Sequence, residues 1–566
     1  MMSFVAFMRT AIVAILALGL ALLWIVWRAA ILSPRRLEVA PLDTAPVDAE
    51  RVARALGRTI RHQTIARSRE APPAAKAFEV LHTELSALFP RVHACLERER
   101  VGDWSLLYTW RGSAPELAPV VLVAHQDVVP VDPGTEDEWG QPPFSGTVSG
   151  GEVWGRGALD DKGSLVAIRA AVEDLLAEGF VPRRPLLLAI GHDEEIGGEA
   201  GARAVAAELA ARGVRAVLVL DEGGAISDVP IPGLGPVALV GVAEKGQLSL
   251  ELSADTPGGH SSMPLPQSAI GIVAGAVRAL ETKRPPARMV EATSVTLKAL
   301  APELPFLPKL LFSSAKVLQP LLLRAFATRP VLDAAIRTTT AVTVMHGGTK
   351  SNVLPEQASA IVNFRILPGE SVDVVVAHVR ATVADPRVRI EIAPETLARD
   401  PSATSPTDGP AFALLEETIA ARFPGVVVAP YLVLGGTDAR HFAAVSDNIY
   451  RFLPLRLDAD ARQRLHGTDE RVGVQELAGA VGFYRELVRR AAIMLCQLGY
   501  GRVIGRHRPG SHTVQFQFAD HSLTQGSHER GYFPKGTEKH CPNLQCPWEP
   551  PRTSSTAHKK SPPRYR

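Results

Sequence analysis

The run Val120-Val121-Leu122-Val123-Ala124 stops at His125-Gln126-Asp127, and the same pattern returns twice. Leu186-Leu187-Leu188-Ala189-Ile190 leads into Gly191-His192-Asp193-Glu194-Glu195, and Ala216-Val217-Leu218-Val219-Leu220 stops at Asp221-Glu222. Each apolar run has the length of a buried strand, and each ends on carboxylate or imidazole. Strands that end this way gather ligands at the carboxyl edge of an α/β sheet. Carboxylates cost too much to bury without partners, so several meeting at one edge imply a cation. Histidine mixed with carboxylates favours zinc or a similar transition metal over calcium or magnesium.

Outward from these runs, strand and helix signals alternate to about residue 241. The alternation predicts a mainly parallel sheet with helices on both faces. The segment 164–179, SLVAIRAAVEDLLAEG, reads as a helix stopped by Gly179, and 199–212 as another stopped by Gly213. After Lys245 the pattern changes. QLSLELSA alternates with period two, as a half-buried strand does. A helix over 268–280, a Pro-rich apolar insert over 302–330 and two further strands, AVTVMHGG and ASAIVNFRIL, follow. These predict a smaller α/β lid domain at 244–369, inserted into a catalytic domain of 49–243 and 370–498. The second part carries a helix (AFALLEETIAARF), a strand at 426–434 and a last helix at 474–495.

Both ends differ from this body. Thr10 to Trp27 is uncharged between Arg9 and Arg28. It is long enough to span a bilayer and shows no polar face. Residues 1–36 are therefore expected to be a transmembrane anchor, with a cleaved signal peptide as the alternative. Residues 37–48 read as a linker. After 498 the apolar periodicity ends, and 499–566 is expected to be a disordered tail. The formal charge is +2 with no basic stripe, which excludes nucleic acid as a partner. Four cysteines do not make a disulfide scaffold, and Cys95 stands alone in the body.

The chemistry sits in three places. In His125-x-Asp127 the imidazole can bind metal while Asp127 accepts its other ring N–H. A loop histidine beside a capping aspartate would look the same. In GRGALDDKG, 155–163, the glycines permit tight backbone before a helix. Two adjacent carboxylates with Lys162 exceed what a helix cap needs, and one carboxylate bridging two metal ions is their natural use. At Glu194-Glu195, if one glutamate is a ligand, the other is placed to act as general base.

The ordered set HQD, GRGALDDKG, DEEIGG, LDEGG, PGGHSS and HGTDER, over about 115–490, resembles zinc metallopeptidase family 20. That family contains aminoacylase, carboxypeptidase S and glutamate carboxypeptidase. The HQDVVPV and LDEGGAI wording, the apolar insert and the amino-terminal apolar segment are most similar to the carboxypeptidase S and secreted N-fatty-acyl-amino-acid hydrolase subgroup. The resemblance implies two zinc ions, one held by His125 and Asp221, the other by Glu195 and His466, with Asp160 bridging. It implies that Asp127 orients His125, that Glu194 is the base and that His260 stabilises an oxyanion, in some members across a homodimer interface. Asn352 and Arg365 would hold the substrate's carboxylate or carbonyl, and Gly436 and Thr437 would line the pocket. The doubled acids leave Asp161 beside Asp160 and Glu222 beside Asp221; the first of each pair follows the family pattern. The implied reaction is hydrolysis of the amide of a small N-acyl amino acid or short peptide with a free carboxylate. A dipeptidase with a small polar pocket is the rival. A catalytically dead, membrane-tethered binding protein would have lost a ligand or the base, and every position is filled. The subgroup places the body outside the cytoplasm, whereas Arg28, Arg35 and Arg36 against Arg9 lean the other way.

Overall fold

The computed structural model describes residues 2–493, except 35, 72–73, 230, 232–233 and 395–396. The expected tail, 499–566, lies outside the described residues. Met2–Ile31 forms one helix, α1. The side chains at 2–6, 9–11, 14, 18 and 21–22 lie outside the described set. Among the described residues no helix is long and apolar enough to cross a membrane, so the expected transmembrane span is not supported by the fold. Ile25 and Ala29 of α1 are buried against the body, while Leu20, Leu23 and Trp27 are exposed.

The stretch read as a linker is docked. Asp43 is buried, its carboxylate takes two hydrogen bonds from Arg485 at 2.7 and 2.8 Å, and its own N–H donates to Glu486 at 2.9 Å. Cys95 is not a lone thiol either. It is disulfide-bonded, and Cys496, Cys541 and Cys546 all lie outside the described residues.

The chain lays down β1 (Glu97–Val101), β2 (Ser105–Trp110), β3 (Val120–His125), β4 (Leu186–Gly191), β5 (Leu218–Asp221) and β6 (Val237–Glu244). It leaves for the lid with β7 (Gly246–Asp255), β8 (Thr339–Gly347), β9 (Gln357–Ile366) and β10 (Arg389–Ile392), then returns with β11 (Val427–Val433) and β12 (Ile449–Arg451). The large sheet has the order β1-β2-β4-β3-β5-β12-β6-β11, with Ile226–Ser227 added beside β6. The three runs that opened the sequence are its centre, β4-β3-β5. They are parallel, in a register that sets His125 against Gly191. Their carboxyl ends therefore share one edge. Parallel ladders β4-β3, β3-β5, β5-β12 and β6-β11 make up most of the sheet, and an antiparallel flank is added where the β1-β2 hairpin turns at Gly102 and pairs with β4.

Helix α2 (Lys162–Ala177) is buried along most of its length, because it lies between this sheet and the last helix of the body, Val474–Ile493. Leu165, Val166, Ile168, Val172 and Leu175 are each at most 1% exposed. Burial of side chains of this size contributes about 1.5–3 kcal/mol each. The amino end of α2 is thus fixed, and with it the Asp160-Asp161 pair.

The lid is a four-stranded antiparallel sheet, β8-β9-β7-β10. Helices α3 (Ala269–Thr282) and, later in the chain, Val372–Val383 pack on it. Val375 and Val379 join the core formed by Leu248, Leu250 and Leu252. The lid therefore runs through Ile392, beyond its expected end at 369, because the helix and strand after that point complete its core. The 302–330 insert folds into short helices that follow α4 (Glu291–Leu300): α5 (Phe306–Ser313), α6 (Gln319–Phe326) and, just beyond, α7 (Pro330–Ala334). The outgoing and returning strands of the lid lie side by side. Glu244 N–H donates to Ser402 Oγ at 2.8 Å, and Gln247 and Arg399 exchange backbone hydrogen bonds at 2.9 and 2.8 Å.

Candidate metal centre

Four of the expected ligands meet at the carboxyl edge of the central strands. Asp160 presents one oxygen to His125 Nε2 at 2.9 Å and the other to His466 Nε2 at 3.0 Å. His466 Nε2 also lies 3.3 Å from Glu195 Oε2. Ligand atoms of His125, Asp160 and Glu195 fall within 4.8 Å of one another. His125 comes from the end of β3, Asp160 from the turn before α2, Glu195 from the turn after β4, and His466 from a loop in the returning half of the chain.

The charges in this cluster fit a cation. Burial alone would lower the His125 ring, but hydrogen bonds with Asp127 and Asp160 outweigh it and raise it well above its usual value. His466 is raised to about 10 by its hydrogen bonds with Asp160 and Glu195. Burial would raise Asp160, yet the two imidazoles hold it far below the usual carboxylate range. Burial also raises Glu195, together with the charge of Asp160, and Glu195 Oε1 is buried without a hydrogen-bond partner. The carboxylates favour positive charge at this site, which protons on the histidines supply where a metal ion would displace them, and one carboxylate oxygen is left free.

Asp127 does more than face His125. His125 Nδ1 pairs with the Asp127 main-chain carbonyl at 3.1 Å and lies 3.4 Å from its Oδ1. The Asp127 carboxylate accepts the N–H groups of Glu194 at 3.2 Å and Glu195 at 3.0 Å. One buried aspartate thereby fixes the imidazole and the turn that carries both glutamates. Glu194 is half-buried, and its carboxyl is raised well above the usual range, by burial first and then by Asp438, Glu195 and Asp160 against the opposing charge of His125. The turn leaves no room for side chains at its end. A Cβ on Gly198, whose φ is +68°, would stand 2.1 Å from Asp438 Oδ1.

The pair after β5 divides unexpectedly. Asp221 is 3% exposed, and its Oδ2 accepts the Ala439 N–H at 2.7 Å. Its carboxyl is raised by burial and, among charges, first by Glu244. Glu222 is half-buried, and its carboxyl is raised well above the usual range by burial and then by Asp160. Glu222, not Asp221, has Asp160 as its leading charged neighbour.

Two residues without an expected role tie the halves of the centre together. Arg156 Nη1 meets Glu470 Oε2 at 2.6 Å with both side chains buried, and Arg156 Nη2 donates to the His466 carbonyl at 3.0 Å. Glu470 Oε1 accepts the N–H groups of Leu159 at 2.8 Å and Asp160 at 3.2 Å. Both lie inside quoted motifs, GRGALDDKG and HGTDER; a charge of each sign in two glycine-bearing loops was the available signal.

The expected substrate residues are more dispersed. Arg365, on β9, donates to Gln247 Oε1 at 3.2 Å, and burial and then Arg440 lower its pKa. Thr437 is buried and gives its hydroxyl hydrogen bond to Glu244 at 2.7 Å, so it shapes its loop. At Gly436 a Cβ would stand 1.6 Å from Arg440 Nη2, so a side chain there would displace the Arg440 guanidinium. His260 and Asn352 lie together on an exposed ribbon, where Gly259–His260 pairs with Val353–Leu354 and Ser261 N–H donates to the Asn352 carbonyl at 3.1 Å. His260 Nδ1 pairs with Ser262 Oγ at 2.7 Å. Among the described residues, the hydrogen bonds of the metal cluster do not reach this ribbon.

A family model for peptidase family M20/M25/M40 matches residues 121–490. The chain is a member of that family. The probable carboxypeptidase S-like 2 of Dictyostelium discoideum is 40% identical over 415 residues, covering 73% of this chain and 79% of the relative. The N-fatty-acyl-amino acid synthase/hydrolase PM20D1 of Homo sapiens is 41% identical over 411 residues, covering 71% and 80%. An M20 family metallo-carboxypeptidase from Sulfolobus solfataricus superposes with a TM-score of 0.59 over 78% of this chain and 99% of that one. At 16% identity, that likeness is one of fold. M20 membership and the ligand cluster together make this chain a metallohydrolase, as its motifs predict.

Proposed function

We propose that this M20 enzyme carries two zinc ions and releases an amino acid from N-acyl amino acids or from short peptides with a free carboxylate. The observation that carries the two-metal reading is Asp160, whose oxygens each face a different histidine. His125 with Glu222 would hold one ion, Glu195 with His466 the other, and Asp160 both. Glu222 takes the place expected of Asp221, whose oxygen is occupied by the Ala439 N–H. Bound zinc polarises a carbonyl and makes water nucleophilic near neutral pH. Glu194 accepts a proton from the attacking water and returns it to the leaving nitrogen. The Asp127 carboxylate holds the Glu194 N–H at 3.2 Å, which fixes the turn that carries this base.

Arg365 binds the substrate carboxylate. The charge of Arg440, across the domain junction, acts on it, and an anion there offsets that repulsion. His260, exposed on its ribbon, serves the centre of a second copy in a homodimer. Mixing His260→Ala with Glu194→Gln chains should then restore part of the activity that each lacks alone. No recovery would remove the dimer from the mechanism.

The relatives named for fatty-acyl amino acids favour an acyl substrate over a dipeptide. Activity on a panel of N-acyl amino acids and dipeptides, measured with and without chelator and after zinc is restored, tests both halves of the reading. Full activity in protein free of transition metal would refute it.

The body is exported, with α1 holding it to a membrane. The disulfide at Cys95 supports an oxidising compartment, and the exposed Ile12, Leu16, Leu20 and Leu23 of α1 support a lipid contact. Release of the full chain by carbonate would refute the anchor, and a free Cys95 thiol in freshly isolated protein would refute the compartment.

A further inference from the structure

The insert helices α5, α6 and α7 are apolar on two sides. Their inner side has its own small core of Leu297, Leu322, Phe326 and Ile336, with Phe312 set edge-on against Phe326. A surface helix with one face so buried ordinarily turns a polar face to water. Here the outer side shows Phe306, Leu307, Val317, Leu321 and Val331, with Leu307 and Val331 both 68% exposed. Exposed apolar side chains gathered in one short segment mark a contact surface.

Two observations say what covers it. The patch adjoins α1. Helix α5 packs on the carboxyl-terminal part of α1, Lys309 Nζ donates to the Leu32 carbonyl at 3.1 Å, and Arg36 pairs with Glu303 at 3.6 Å. The outward Leu23 and Trp27 of α1 thus continue the apolar surface of the insert. The charge around the patch is one-sided. Lys316, Arg324 and Arg329 are exposed on the insert, while its acids are taken, Glu303 by Arg36 and the buried Asp333 of α7 by Arg284 and Arg337. Apolar side chains rimmed by cations match a bilayer with anionic headgroups.

We propose that α5–α7 lie against a lipid bilayer, with the five outward apolar side chains in the boundary between headgroups and acyl chains. The insert and α1 then form one lipid-facing platform under the lid. This goes beyond the anchoring assigned to α1 and rests on it in part, so the test separates the two.

Full-length protein is placed in vesicles of neutral and anionic phospholipid. A photoreactive benzophenone amino acid replaces, one at a time, Leu16 of α1, Leu307, Leu321 or Val148. Val148 is an exposed apolar residue of the catalytic domain and serves as the control. Hydrolysis of a short soluble substrate checks that each chain is folded. Irradiation should attach lipid at 16, 307 and 321, several-fold above 148. Lipid at 16 with none at 307 and 321 overturns the proposal and leaves the anchor standing. Lipid at none of them overturns both. Joining of 307 or 321 to a second protein chain overturns it in favour of self-association.

Discussion

Glu470→Gln probes how the centre is held. The substitution keeps the shape of the side chain and one acceptor oxygen, but leaves the buried Arg156 guanidinium without its anion at 2.6 Å. Removing one member of a buried pair costs about 3–5 kcal/mol. Glu470 also holds the N–H of Asp160, and Arg156 the carbonyl of His466. Disturbing such supporting groups lowers metal affinity about 10–100-fold, which is about 1.4–2.7 kcal/mol. The stability effect is the larger. Two measurements separate the terms: urea unfolding in excess chelator, and zinc affinity by competition with a chromophoric chelator. We expect a lower urea midpoint without metal and weaker zinc binding in the same protein. Loss of stability with unchanged zinc affinity would refute the argument that this pair sets the positions of Asp160 and His466.

Glu194→Gln should lower turnover by roughly three or more orders of magnitude, as when base and metal act as a unit, with zinc content near wild type; Glu195→Gln should lower zinc content, and exchanged phenotypes would shift the assignment by one residue. Glu222→Gln should reduce bound zinc, whereas Asp221→Asn should keep it and chiefly loosen the loop at Ala439; elemental analysis of the two proteins decides. In metal-free protein, Glu222 and His466 should each contribute stability that is lost as pH rises. Glu222 is raised well above 4.5 by burial and Asp160, and His466 from 6.5 to about 10 by its hydrogen bonds with Asp160 and Glu195. Both folded pKa values exceed the unfolded ones, so the folded state holds more protons. That stability is present below the unfolded pKa of each group and is lost as pH rises through the folded value. The stability difference between chelated wild type and chelated His466→Gln should therefore shrink between about pH 6 and 10, and a difference that does not change with pH would contradict the placement of His466.

The strand ends were legible because a run such as Val120–Ala124 can only be buried, and a ligand at its end can only lie at the sheet edge. The grouping of His125, Asp160, Glu195 and His466 was an implication of the family resemblance that the ordered motifs carry. What escaped was set by packing between distant segments. Alternation along β5 does not say whether Asp221 or Glu222 leaves the sheet toward the metal, because the Ala439 N–H that captures Asp221 comes from 218 residues away. The capture of the Glu194 and Glu195 N–H groups by Asp127 is equally non-local. The lid's true end was hidden because Val375 and Val379 make a helix that could pack on either domain. The antiparallel flank of the sheet was missed because β1, Glu97–Val101, is mostly charged and half-exposed, and the buried run of β2 does not itself say which way it pairs.

The crossing between the two domains has a consequence for how this enzyme could be remade. The chain leaves at Glu244 and comes back at Ser402 through one doorway, the two strands bonded to each other there. The lid sheet lies between these points, α4 packs back on β11 of the host, and each proposed metal ligand belongs to the host: His125, Asp160, Glu195 and Glu222 before the doorway, His466 after it. A lid from another M20 enzyme could be spliced in at these two points, carrying its own carboxylate-binding arginine and its own lipid-facing or water-facing surface. The metal ligands would stay where they are. Substrate range can then change by exchange of a cassette, while the hydrolytic machinery is inherited intact.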